Sequence, residues 1–185
     1  VDVAGFSKMM EEDEERTLDL LKNRREIIDA EISAHGGQIF GTAGDSVIAQ
    51  FDSPVRATEC SVQFQNKMQA LNQAGAIDHK MEFRAGINIG DVMVDKNNLY
   101  GDAVNIASRL ESESRIAGIC VSKIVMDMVA GKLKISFEDG GLINLKNISE
   151  PVQTFHVIPS KGSVRWLNDS TEGPQINIQK VEPGS

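Results

Sequence analysis

Two periodicities alternate along this chain, and that alternation limits the fold more than any other feature of the sequence. Met9, Leu18, Leu21, Ile27, Ile28 and Ile32 recur at helical spacing and Gly36-Gly37 closes the run, which predicts one long amphipathic helix over residues 8–35. Two short β-prone runs follow, 38–42 and 46–51, separated by Ala43-Gly44-Asp45 in the manner of a tight hairpin. Ser53 and Pro54 then open a second helix, with Ser53 as its cap, that runs to about residue 73. Residues 80–89 alternate apolar and polar, and Gly90-Asp91 turns them into Val92-Met93-Val94, a predicted second hairpin before a polar loop over 95–98. A helix over 101–113, a strand over 118–121, a helix over 122–130 capped by Ser122, strands over 135–138 and 142–145, and a last strand over 152–158 complete the pattern. Helices interleaved with paired strands give an α+β fold, one mainly antiparallel sheet covered by helices.

From residue 159 the composition shifts to Gly, Ser, Pro and Asn, so 159–185 reads as a linker or extended C-terminal arm beside a domain over 1–158. The 185 residues, 41% of them hydrophobic, suffice for one cored domain plus that arm. The chain opens on Val1 inside a strand end, and further sequence is expected before it. Nineteen Lys and Arg against 27 Asp and Glu leave a net charge of −8, which argues against a duplex nucleic-acid binder. No run approaches the ~20 apolar residues of a membrane-spanning helix. Cys60 and Cys120 lack metal-type spacing, which suits buried thiols in a reducing, cytoplasmic setting, and Met81, Met93, Met126 and Met128 are expected to fill core gaps.

Phosphate chemistry is nevertheless within reach of the residues present. Asp2 and Asp45 stand at strand ends next to glycines; if the first strand lies beside the hairpin, their carboxylates converge and suit a hard cation such as Mg²⁺. A cap at Asp2 and a turn at Asp45 would explain them equally well. Asn105 and Arg109 lie at i and i+4 on one helix face, offering an amide and a guanidinium to a ribose and a phosphate, although a solvated helix face carries the same pattern. Arg84 and Lys146 are further cations able to meet a triphosphate. Gly36 to Thr42 has the glycine spacing of a P-loop without its lysine, and the run from Asp95 lacks the glycine of a calcium loop.

Five motifs in order, Asp-Val-Ala-Gly-Phe-Ser from Asp2, Gly-Thr-Ala-Gly-Asp ending at Asp45, Arg-Ala-Gly-Ile-Asn-Ile-Gly-Asp-Val from Arg84, Tyr-Gly-Asp-Ala-Val-Asn-Ile-Ala-Ser-Arg-Leu from Tyr100, and Leu-Lys-Asn-Ile from Leu145, resemble the catalytic domain of the class III nucleotidyl cyclases in its bacterial form. The resemblance covers Val1 to about Ile158. It implies a ferredoxin-like βαββαβ core that works as a head-to-tail homodimer with two shared sites. Asp2 and Asp45 would hold two Mg²⁺ or Mn²⁺ ions per site. Asn105 and Arg109 of the other protomer would be catalytic, and Phe6, Gly41, Gly44, Arg84, Asn98 and Lys146 would bind the nucleoside triphosphate. The implied reaction is attack of the ribose 3′-oxygen on the α-phosphorus with loss of pyrophosphate, and such domains are often joined to sensory or repeat domains.

Two positions depart from the family pattern, and both are where the base is read. Adenylate cyclases usually carry Lys where this chain has Gly41 and Asp or Thr where it has Asn98; guanylate cyclases usually carry Glu and Cys or a similar pair. A site without the lysine is expected to be permissive or to use other groups. ATP is the default substrate, GTP or a pyrimidine triphosphate is a variant, and an inactive dimerising regulatory module is the alternative from another class.

Overall fold

The computed structural model describes residues 1–75, 80–96, 98–145, 148 and 150–159. Its elements run β1 (Asp2–Val3), α1 (Phe6–Glu12), α2 (Glu14–Ala34), β2 (Gln38–Ala43), β3 (Ser46–Gln50), α3 (Pro54–Ala74), β4 (Phe83–Ile87), β5 (Met93–Asp95), β6 (Asn98–Tyr100), α4 (Asp102–Glu113), β7 (Ile119–Ser122), α5 (Lys123–Val129), β8 (Ile135–Ile143) and β9 (Val152–Pro159). Five strands form one sheet in the order β1-β4-β7-β9-β8, and the pairs β2-β3 and β5-β6 form separate ribbons. Within the main sheet β4 and β7 run parallel, while the other neighbours are antiparallel. A parallel step needs a crossover, which the β5-β6 ribbon and α4 supply. The architecture is the α+β one expected, a mainly antiparallel sheet with helices packed on it.

The core lies between α2, α3 and the sheet. Leu20, Leu21, Ile28 and Ile32 of α2 and Cys60, Val62, Phe64 and Met68 of α3 are buried with Phe83 and Ala85 of β4 and Val121 of β7. Each large apolar side chain so removed from water stabilises the fold by roughly 1.5–3 kcal/mol. Burial pushes the Cys60 thiol up to about 12 and the Cys120 thiol up to about 11, so both are unreactive packing residues near neutral pH. Among the described residues no helix is long and apolar enough to cross a membrane.

The structure corrects several local expectations. The helix expected over 8–35 is broken at Asp13, whose extended backbone (φ −160°) lets its carboxylate accept the Arg16 N–H at 3.1 Å and cap α2. Residues 11–17 carry no apolar side chain to hold a continuous stripe there. The second hairpin is β5 with β6, not β4 with β5: both edges of β4 are taken, Arg84 pairing with Asp2 and Ala85 with Ile119. Of the loop expected over 95–98, Asp95 and Asn98 are instead paired strand residues of that hairpin. β8 is one strand with a bulge at Asp139/Gly141 rather than two. Ser53 caps α3 as expected, but Ser122 makes no capping bond to α5 and its Oγ is buried without a hydrogen-bond partner among the described residues. Met81 is in the core, whereas Met93 and Met128 are exposed. The C-terminal arm expected over 159–185 falls outside the described residues beyond Pro159.

Candidate active site

β1 is two residues long, and its neighbours define it. Asp2 and Val3 pair with Arg84 and Phe83 of β4, and on the other side the Val47 N–H donates to the Val1 carbonyl at 2.8 Å, docking the β2-β3 ribbon beside β1. The ribbon turns through two residues, Gly44 and Asp45, between the paired Ala43 and Ser46. Gly44 has φ 59°, the sign a type II′ turn demands at its first central position and one that glycine adopts without strain. The turn delivers Asp45 to the end of β1, where its Oδ2 accepts the Val3 N–H at 3.1 Å.

Asp2 and Asp45 thus converge. Burial, then a hydrogen bond to the Asp45 carboxylate and its charge, with a further contribution from Glu111, push the Asp2 carboxyl up to about 7. Asp2 is no helix cap, since α1 follows Gly5 and no side chain caps it. Two carboxyl groups pressed together are hard oxygen donors fit for Mg²⁺ or Mn²⁺, and among the described residues no cluster of three or more His, Cys, Asp or Glu completes an all-protein cage. Such a pair suits an ion that takes its remaining ligands from water or a phosphate-bearing substrate.

Arg84, the Cα partner of Asp2, is half-buried with its Nε 3.2 Å from Oε1 of Glu111, and its Nη1 donates to the Ser112 carbonyl at 3.4 Å. Glu111, on the last turn of α4 and only 8% exposed, entered no reading of the sequence. The available signal was Gly86: a glycine inside a strand marks close backbone approach, and a Cβ there would overlap the Ala107 carbonyl oxygen and the Glu111 backbone nitrogen. Burial, partly offset by Arg84, raises the Glu111 carboxyl. Glu111 also lines a cleft of about 380 Å³ between β3, the end of β4 and α4, together with Ser46, Val47, Ile87 and Ala107.

The other expected site residues that the structure describes sit on α1, α4, β2 and β6. Asn105 and Arg109 are exposed on α4, one turn apart, outside the cleft lining, and neither makes a side-chain hydrogen bond or ion pair with another described residue. Phe6 opens α1 and packs partly on the core. Gly41 sits just after the Phe40 bulge in β2, opposite Ile48, and Asn98 starts β6 opposite Asp95, with β2 packed against β6. Lys146 lies outside the described residues.

Residues 1–159 match the model of the adenylate and guanylate cyclase catalytic domain. The chain belongs to that family. It is 39% identical to an adenylate/guanylate cyclase/hydrolase from Silicibacter pomeroyi whose crystal structure superposes with a TM-score of 0.80 over 86% of this chain and 93% of that one. The adenylyl cyclase CyaB from P. aeruginosa is 29% identical with a TM-score of 0.74, covering 86% and 91% of the two chains. Adenylate cyclase 1 of Rhizobium meliloti (strain 1021) is 27% identical over 93% of this chain and 28% of its own length. The chain spans less than a third of the length of the curated relatives it matches. Its fold is that of the family's catalytic domains.

Proposed function

We propose that this chain is one half of a homodimeric nucleotidyl cyclase that converts a nucleoside triphosphate, ATP by default, into its 3′,5′-cyclic monophosphate and pyrophosphate. The observation that carries the reading is the Asp2–Asp45 carboxyl pair, assembled from two separate elements in a chain of this family. The ribose 3′-oxygen forms a bond to the α-phosphorus as the bond from that phosphorus to the bridging oxygen breaks, and the 3′-hydroxyl proton leaves to solvent. Mg²⁺ or Mn²⁺, two per site, would be held by Asp2 and Asp45 and would supply the positive charge that eases 3′-hydroxyl ionisation and balances the triphosphate.

The chain's own groups do the positioning. Arg84 and Lys146 meet the triphosphate, Phe6 and Gly44 bound its path beside β1, and Gly41 and Asn98 face the base. Asn105 and Arg109 are free of partners among the described residues, so they are available to orient the ribose and stabilise charge at the α-phosphorus in the site of a second copy. Met93, Val94 and Tyr100 of the β5-β6 ribbon are 70%, 56% and 49% exposed, an apolar surface that supports pairing with that copy. Residues 1–158 act as the catalytic domain, with 159–185 leading to sensory or repeat domains of a longer cytoplasmic protein.

The test is a panel of ATP, GTP, CTP and UTP with Mg²⁺ or Mn²⁺, products identified by mass. A 3′,5′-cyclic monophosphate is expected from at least one; none from any, with the dimer verified, would make the domain a regulatory module. The panel also reads the base, because Gly41 carries no side chain to contact one.

A further inference from the structure

We propose that Glu111 is a positioning residue for the triphosphate: it pairs with the inner edge of the Arg84 guanidinium and so fixes where the terminal nitrogens of this strand partner of Asp2 can meet an anion. This rests on the cyclase reading of the site. Arg84 sits opposite Asp2 in the β1-β4 register, so its backbone is already fixed next to that pair. Its side chain has many rotamers, and an anion site built on a loose arginine loses part of its affinity to ordering.

Three features remove that freedom. Glu111 Oε1 lies 3.2 Å from Arg84 Nε, a buried ion pair in which neither of these two atoms makes a hydrogen bond among the described residues, so Coulomb attraction in a dry setting, not directional bonding, holds the inner edge of the guanidinium. The Ser112 carbonyl accepts from Nη1 at 3.4 Å, holding the plane of the group from the next residue of the same helix. Gly86, two residues beyond Arg84 on the same face of β4, lets α4 press onto the strand at Ala107 and Glu111, which sets Glu111 over Arg84. With its Nε edge paired to a carboxylate and Nη1 donating to the Ser112 carbonyl, the guanidinium still has the Nη2 donors to offer an oxyanion. Neither partner alone makes the device, because Glu111 without Arg84 is a buried carboxylate close to two others.

The experiment compares wild type, Glu111→Gln, Glu111→Asp, Arg84→Gln and the Glu111→Gln/Arg84→Gln double variant. Two quantities are read: binding of inorganic tripolyphosphate in Mn²⁺ by calorimetry, and KM and kcat for the preferred triphosphate. Glu111→Gln and Glu111→Asp are each expected to weaken tripolyphosphate binding and raise KM by about tenfold, with kcat changed much less, and Glu111→Gln is expected to add nothing further in the Arg84→Gln background. Tighter binding in Glu111→Gln, meaning a carboxylate that only repels the anion, would overturn the proposal, as would an equal loss with and without Arg84. Should Glu111→Gln fail to fold, Glu111→Asp keeps the charge, is one methylene short of the contact, and carries the same expectation. A wild type that binds tripolyphosphate but makes no cyclic product ends the cyclase reading; one that makes product with an affinity blind to Glu111 ends the positioning role alone.

Discussion

Asp45 reaches the end of β1 from a hairpin turn and hydrogen-bonds the Val3 N–H at 3.1 Å, which leaves its carboxylate facing the carboxyl of Asp2. One proton shared between two acids is a stable arrangement at mildly acidic pH and a repulsive one above it. A cation relieves that repulsion by displacing the proton.

The Asp2 carboxyl stands at about 7. Mn²⁺ affinity should therefore fall about tenfold per pH unit below 7 and level off above it, since one proton must leave for the ion to bind. The metal-free fold carries the opposite sign. A folded-state pKa above the unfolded value means that the folded chain holds an extra proton, so this pair's contribution is complete below the unfolded value near 3.8 and is lost as pH rises through 7. Thermal unfolding of the metal-free protein should show that loss, and Asp45→Asn should reduce it. A Mn²⁺ affinity independent of pH between 5 and 8 would contradict the carboxyl geometry.

Gly86→Ala should destabilise the domain by about 1–3 kcal/mol, because the added methyl meets α4 backbone that cannot move without lifting the helix from β4. Denaturant unfolding measures this. Activity should fall along with stability, as the same shift carries Glu111 away from Arg84.

Asp13→Ala should cost about 1 kcal/mol by removing the α2 cap. An unchanged midpoint would mean that α1 and α2 can merge into the single helix expected from the sequence.

A side chain at position 41 has room, since a Cβ there meets Ile48 at an ordinary 3.6 Å. Gly41→Lys should therefore fold normally and raise the preference for ATP over GTP by about tenfold, the worth of one added hydrogen bond to the base. Competition between the two triphosphates reads the ratio directly.

The sequence carried the fold well where periodicity and caps agree, as in α3 behind Ser53-Pro54 and in the alternation through Phe83, Ala85 and Ile87. It misled where a local signal had a long-range competitor. Gly90-Asp91 marks a change of direction, but strand partners are decided by which edges remain open, and β1 and β7 had taken both edges of β4. Asp13 reads as one more charge in a charged helix until its backbone leaves the helical region. The convergence of Asp2 and Asp45 was legible as one of two alternatives, because it depends on the ribbon docking through Val47, a contact that no spacing encodes. Glu111 was invisible for the same reason: its partner lies on another element, and only the bare backbone of Gly86 hinted at the approach.

Whether each site is divided between two copies of the chain is tested most directly by mixing inactive variants. Asp45→Ala and Arg109→Ala should each abolish most cyclic-nucleotide formation. An equimolar mixture allowed to exchange subunits should recover about a quarter of wild-type activity, since half the dimers are mixed and each of those rebuilds one of two sites. Mixed dimers that form and stay inactive would contradict the shared site.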